Sequence, residues 1–139
     1  MSHQSKQDQI ATAIDLHGRW RLELRRAVIT GQLPKPAEVI ADDHGCAFGH
    51  WLYGPLIDAQ TRASPAWRVI TRLHREYHQI AAEVARLVQS GRAAEAEALM
   101  AGDYLARSNH LLAGLRKWQG EAAAEAAGGD GRQVRRGPV

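Results

Sequence analysis

AWRVITRLHREYHQIAAEVARLVQ, residues 66–89, decides the fold. Its apolar positions Ile70, Leu73, Tyr77, Ile80, Ala81, Val84, Leu87 and Val88 recur every three or four residues, the spacing of one face of an α-helix. Ser64-Pro65 just before it is a helix start, with serine as cap and proline at the first position, and Ser90-Gly91 is its stop. His74 and His78 flank Tyr77 on the edge of that stripe, facing inward. Two histidines four apart on a helix lie one above the other, about 5–6 Å between Cβ atoms, so both imidazoles can reach one metal ion.

The flanking segments follow the same period. From about Asp8, a candidate cap, Ile10, Ala13, Ile14, His17, Trp20, Leu24, Ala27 and Val28 mark a first long helix. Gly31 suits its C-terminal cap, and Pro34 and Pro36 forbid its continuation. Ala37–Ile40 has room for one helical turn, and residues 56–64 read as a connection. Arg92 to about Trp118 forms the last helical stretch, with Gly102-Asp103 as a point where it could divide. From Gly128 onward Gly, Arg and Pro predominate, which predicts disorder. The expectation is an all-α, antiparallel four-helix-type bundle over 1–120, with a short middle helical segment carrying the cysteine, and a C-terminal tail over 121–139.

That middle segment is His44-Gly-Cys46-Ala-Phe-Gly-His-Trp-Leu-Tyr-Gly54. It holds the one cysteine of the chain, and Asp42 and Asp43 ahead of it are N-cap candidates. Gly45 and Gly49 each cost about 1 kcal/mol of helix propensity relative to alanine, so the segment is short and held by its neighbours. Cys46 with the His74/His78 pair gives three metal ligands, and His17, on the buried stripe of the first helix, gives a fourth. Sulfur and imidazole nitrogen together suit Zn2+, a borderline-soft ion that takes four ligands in a tetrahedron. His50 is the one further histidine that could reach the same side, and His44 or His50 could instead orient a ligand; His3 and His110 are read as uninvolved.

Each of these residues also has an ordinary reading. A histidine on an apolar stripe commonly makes one core hydrogen bond, and a lone cysteine commonly acts as a small buried hydrophobe. It is the joint occurrence of all four that favours the metal. One cysteine excludes an internal disulfide. A polar N-terminus and the lack of any apolar run of ~18–20 residues argue against a signal peptide or a membrane span, so the expected location is the cytoplasm. The net charge of +3 equals the contribution of Arg132, Arg135 and Arg136, and no basic face with interleaved aromatics points to nucleic acid.

Read together, Leu16-His17-x-x-Trp20, Asp43-His44-x-Cys46-x-Phe48-Gly49-x-Trp51-Leu52-Tyr53-Gly54 and Leu73-His74-x-x-Tyr77-His78 resemble the chemoreceptor zinc-binding (CZB) domain family. That family occurs as a terminal module of bacterial soluble chemoreceptors and of some diguanylate cyclases. The resemblance covers residues 16–78 and carries the family's zinc ligands onto His17, Cys46, His74 and His78, the set reached from spacing. It implies a helical bundle that dimerises, and cytoplasmic sensing of zinc, or of oxidants such as hypochlorous acid through the zinc-bound cysteine. It also implies a chemotaxis or cyclic-di-GMP partner, reached in trans if this chain is free-standing. Against this stand a purely structural dimerisation module and a zinc hydrolase. The hydrolase needs an open coordination position, which four protein ligands leave no room for, with Asp43 or Glu76 as its base. A di-iron carrier would need inward carboxylates that the stripes lack. The chain is therefore expected not to be an enzyme.

Overall fold

The computed structural model describes residues 5–136, with side chains as far as Gly128, and among these every regular element is helical. Helix α1 spans Lys6–Thr30, α2 Ala37–Ile40, α3 Ala47–Leu52, α4 Ala59–Arg62, α5 Pro65–Gln89 and α6 Ala93–Leu99; a π-helical turn over Met100–Tyr104 then leads into α7, Leu105–Arg136.

The long helices start and stop for local reasons. Ser5 caps α1 by accepting from the Asp8 N–H, so Asp8 lies in the first turn and is not itself the cap. Gly31 closes α1 in the left-handed region at φ 76°, which a side chain would disfavour, and its N–H donates to the Ala27 carbonyl. Ser64 caps α5 through its hydroxyl on the Trp67 N–H, with Pro65 at the first helical position as the sequence indicates. Residues 56–64 are more ordered than a plain connection: Asp58 accepts from the Thr61 N–H and starts the turn of α4.

Pairwise contacts fix the directions. Leu73 and Ile70 face Gly114, and Tyr77 meets Tyr104, so α5 and α7 run antiparallel. Lys6 pairs with Glu125 and His17 with Ser108, so α1 and α7 are antiparallel too. Both being antiparallel to α7, α1 and α5 run parallel to each other, with His17 lying against Tyr77. The segment 31–64, with α2, α3 and α4 packed on α5 and α1, carries the chain back along the bundle and fills the fourth position. The result is the all-α, four-helix-type bundle expected, with the short cysteine-bearing segment in its middle.

The core is the set of stripes read from the sequence. Ile10, Leu24, Leu52, Ile70, Val84, Tyr104 and Leu115 are essentially sealed from solvent. Burying a leucine- or isoleucine-sized side chain stabilises by roughly 1.5–3 kcal/mol, so these contacts dominate the packing. His17, His74 and His78 are the histidines buried among them. Helix α7 passes the expected boundary at residue 120 without a break, and Ala122 is buried. The run Glu121-Ala-Ala-Ala-Glu-Ala-Ala127 is strongly helix-forming, and backbone helix extends through the Gly128 region, where the sequence predicts disorder, as far as Arg136. His3, and the last three residues of the expected tail, lie outside the described residues.

Candidate metal centre

Cys46 is positioned by a helix start of unusual chemistry. Its sulfur caps α3, accepting from the Gly49 N–H at 3.2 Å. Asp42 and Asp43, the expected caps, serve other partners. Asp42 accepts from the His44 N–H at 3.0 Å, forming a local turn, and Asp43 accepts from the Tyr53 hydroxyl at 2.6 Å. Cys46 therefore precedes the first helical residue, and His50, four positions on, is exposed rather than beside it.

Gly49 makes this arrangement possible. A Cβ at this position would overlap the Asp43 carbonyl oxygen and crowd the His44 backbone, so the loop 43–46 can fold back on α3 only over a hydrogen. Gly49→Ala is expected to cost about 1–3 kcal/mol of stability by overpacking, and to weaken metal binding as Cys46 is displaced. A urea midpoint and a zinc competition titration on the same preparation check both.

The histidine pair completes the cluster. His74 Nε2 is 3.4 Å from Cys46 Sγ and 3.1 Å from His78 Nε2, and one donor atom from each of the three residues lies within 4.8 Å of the other two. Zinc at ~2.3 Å from sulfur and ~2.05 Å from nitrogen has tetrahedral edges of about 3.6 Å between S and N and about 3.3 Å between two N. The two spacings from His74 Nε2 fall about 0.2 Å inside those edges, and the Cys46–His78 pair lies within 4.8 Å. Three of the four positions of a zinc tetrahedron are thus matched in kind by residues close enough to share one ion.

Proton positions point the same way. His78 Nδ1 is 2.7 Å from the Ile40 carbonyl, which can only accept, so the proton resides on Nδ1 and the Nε2 lone pair faces the cluster. Burial holds His74 near a pKa of about 3, helped by the repulsion of a charged His78, and lowers His78 as well, so both rings are neutral at pH 7. Burial pushes the Cys46 thiol up, partly offset by backbone N–H groups around the sulfur. A cation among these atoms would reverse that preference, because metal-bound sulfur is thiolate.

His17, the fourth expected ligand, does not join the three-residue cluster. Its Nε2 is 2.8 Å from the hydroxyl of Ser108, which is fully buried, and its ring stands edge-on to Tyr77 at 4.6 Å between centroids. It does line the same cavity of about 440 Å³ as Cys46, His74, Tyr77 and His78. Burial, with the nearby Arg21 charge, lowers its pKa to about 4. His44 and His110 are exposed; His44 stacks on Tyr53 at 3.9 Å and orients no histidine of the cluster. Glu76 faces Arg72 and Arg107 at 3.4 and 3.7 Å, in ion pairs away from the cluster.

Two participants escape a reading of motifs. Ser108 occupies the buried stripe 104, 108, 111, 115, 118 of the last helical stretch, where a polar residue signals a buried partner. Tyr104 is delivered by the π-turn, whose extra residue rotates its fully buried ring inward, so that its hydroxyl lies 2.8 Å from that of Tyr77. Gly102-Asp103, read as a point of division, is the outer part of that turn.

Compared with known families, residues 17–85 match the chemoreceptor zinc-binding domain. Neither the curated proteins nor the solved structures contain a match.

Proposed function

We infer that this chain, with a chemoreceptor zinc-binding domain at residues 17–85, is a non-catalytic sensory or regulatory domain that responds to zinc or to an oxidant acting on Cys46. The observation that carries the reading is the convergence of one ligand atom each from Cys46, His74 and His78 within 4.8 Å, with His74 Nε2 at 3.4 Å from the sulfur and 3.1 Å from His78 Nε2, close to the edges of a zinc tetrahedron. Bound there, zinc supplies a fixed positive charge that keeps Cys46 as thiolate and ties α3 to α5. His17 is the proposed fourth ligand because it lines the same cavity; to bind there its Nε2 would have to give up the Ser108 hydroxyl.

The chain's own residues do the rest. His78 is locked in register by the Ile40 carbonyl, and Phe48 stands edge-on to His74 at 5.2 Å, which confines that ring. Cys46 is half-buried and lines the cavity, the side from which a small oxidant would approach its sulfur. Two-electron oxidation of that thiolate by hypochlorous acid gives sulfenic acid and chloride, and weakens the sulfur as a donor. Zinc would then leave, and the contact between α3 and α5 would loosen. We propose that this movement is passed, within a homodimer in the cytoplasm, to a chemoreceptor or diguanylate cyclase partner. No described helix is long and apolar enough to cross a membrane.

Elemental analysis of purified protein tests the reading. Wild type is expected to carry about one zinc per chain and His74→Ala to lose most of it. Equal metal in both, or none in wild type grown with ample zinc, would remove it. Zinc release on mild oxidation, absent in Cys46→Ser, separates oxidant sensing from sensing of zinc itself.

A further inference from the structure

His74 Nδ1 is buried and has no hydrogen-bond partner, alone in this among the described side-chain nitrogens and oxygens. An interior polar atom without a partner has lost its hydrogen bond to water and gained none in return, so it calls for a partner in some state of the protein. The nearest acceptor is Asp43 Oδ2 at 4.0 Å, about 1 Å beyond a hydrogen bond.

Asp43 is held for this task from three sides. Its Oδ2 accepts from the Tyr53 hydroxyl at 2.6 Å. The Tyr53 ring is stacked on His44 at 3.9 Å and stands edge-on to Trp67 at 6.4 Å, so the hydroxyl is not free to swing. The Asp43 main chain is pressed against Gly49 with no room for a Cβ between them. The carboxylate itself is only 14% exposed, and it lies against His74 on the side away from Cys46.

The two histidines of the pair therefore differ. His78 has its Nδ1 proton fixed by a backbone carbonyl, whatever else is present. His74 has no such anchor. Two bare Nε2 atoms 3.1 Å apart repel, so without a cation between them a proton on His74 Nε2 is favoured, which leaves Nδ1 bare and unpaired. With a cation on both Nε2 atoms, the His74 proton must move to Nδ1, where the acceptor in reach is Asp43.

We propose that Asp43, braced by Tyr53, is the positioning residue of this centre, accepting the Nδ1 proton of His74 and fixing the tautomer whose Nε2 faces Cys46 and His78. The proposal rests on the zinc reading above. A carboxylate behind a ligating histidine makes the ring more basic and fixes its orientation, and losing one typically lowers metal affinity 10–100-fold.

Asp43→Asn keeps the size of the side chain and a hydrogen bond to Tyr53 but removes the charge. Zinc affinity by chelator competition is expected to fall 10–100-fold, while Tyr53→Phe, which loosens only the brace, costs less. Imidazole NMR of zinc-loaded protein should show a protected Nδ1 proton on His74 in wild type that is lost or exchanges rapidly in D43N. Thermal midpoints of the metal-free proteins serve as the control for folding. Were Asp43 and Tyr53 only a lock on the loop, D43N would lower the metal-free midpoint and leave the His74 proton signal in place. D43N within threefold of wild type in affinity, with that signal unchanged, overturns the proposal and leaves the zinc reading standing. A wild type that takes up no zinc overturns both.

Discussion

Stripping metal from the purified protein with a strong chelator is expected to lower its thermal midpoint by about 10–20 °C. A ligand bound to the native state alone at a thousand times its dissociation constant contributes about 4 kcal/mol, and a domain of this size shifts by several degrees per kcal/mol. The loss should be reversible on adding zinc, since Cys46, His74 and His78, and the proposed fourth ligand His17, belong to helices or helix starts that the bundle itself maintains. Core residues such as Ile10, Ile70 and Val84 lie outside the cavity of the centre, so the metal-free protein should remain helical by circular dichroism. The damage should be local, because the cluster joins α3 to α5, and through His78 and the Ile40 carbonyl it holds α2 as well. Hydrogen exchange should therefore quicken most between residues 40 and 54. A midpoint that moves by less than about 2 °C on complete metal removal would show that no ion holds these segments together.

Much of this centre is legible before any coordinates, because helical periodicity converts spacing into direction. The stripe of α5 puts His74 and His78 inward beside Tyr77, and all three are buried. The stripe of α1 does the same for His17. Periodicity says which side a residue faces, but not which atom it meets there. That is why the buried side of His17 is legible while its bond to Ser108 is not foreseen. Ser108 could have been found, since it stands in register with Tyr104, Leu111, Leu115 and Trp118.

The middle segment is harder to read for a different reason. Capping rules rank Asp and Asn first, so Asp42 and Asp43 draw the cap assignment away from Cys46, whose sulfur takes it. The choice is decided by tertiary demand, as Tyr53 claims Asp43 and the 42–44 turn claims Asp42. The parallel run of α1 and α5 likewise depends on how α2, α3 and α4 return the chain, and short helices carry little periodic signal. At the other end, the alanine-rich stretch 121–127 continues α7 beyond residue 120 and buries Ala122.

Acid is expected to undo the metal-free protein more steeply than an ordinary helical bundle, and the sign follows from the buried rings. His17 has a folded pKa of about 4 and His74 of about 3, both depressed chiefly by burial from 6.5. Above pH 6.5 each ring is neutral in folded and unfolded chains alike, and neither affects stability. Below it the unfolded chain takes up a proton that the folded one refuses, so stability falls with pH at up to about 1.4 kcal/mol per unit for each ring. The loss runs from 6.5 down to about 4 for His17 and on to about 3 for His74. Two such rings remove on the order of 5 kcal/mol by pH 4.5, comparable to the whole stability of many domains. Denaturant midpoints of metal-free protein between pH 7.5 and 4.5 should therefore be flat at first and then drop. His17→Gln, which keeps a partner for Ser108, should make the descent shallower without abolishing it, since His74 and His78 are also depressed by burial. Zinc bound at the cluster would shift the descent downward in pH, because protons would have to displace it from the ligating nitrogens before those rings could charge. A stability profile unchanged between pH 7.5 and 4.5 in the metal-free protein would mean that these histidines are not held neutral in the core.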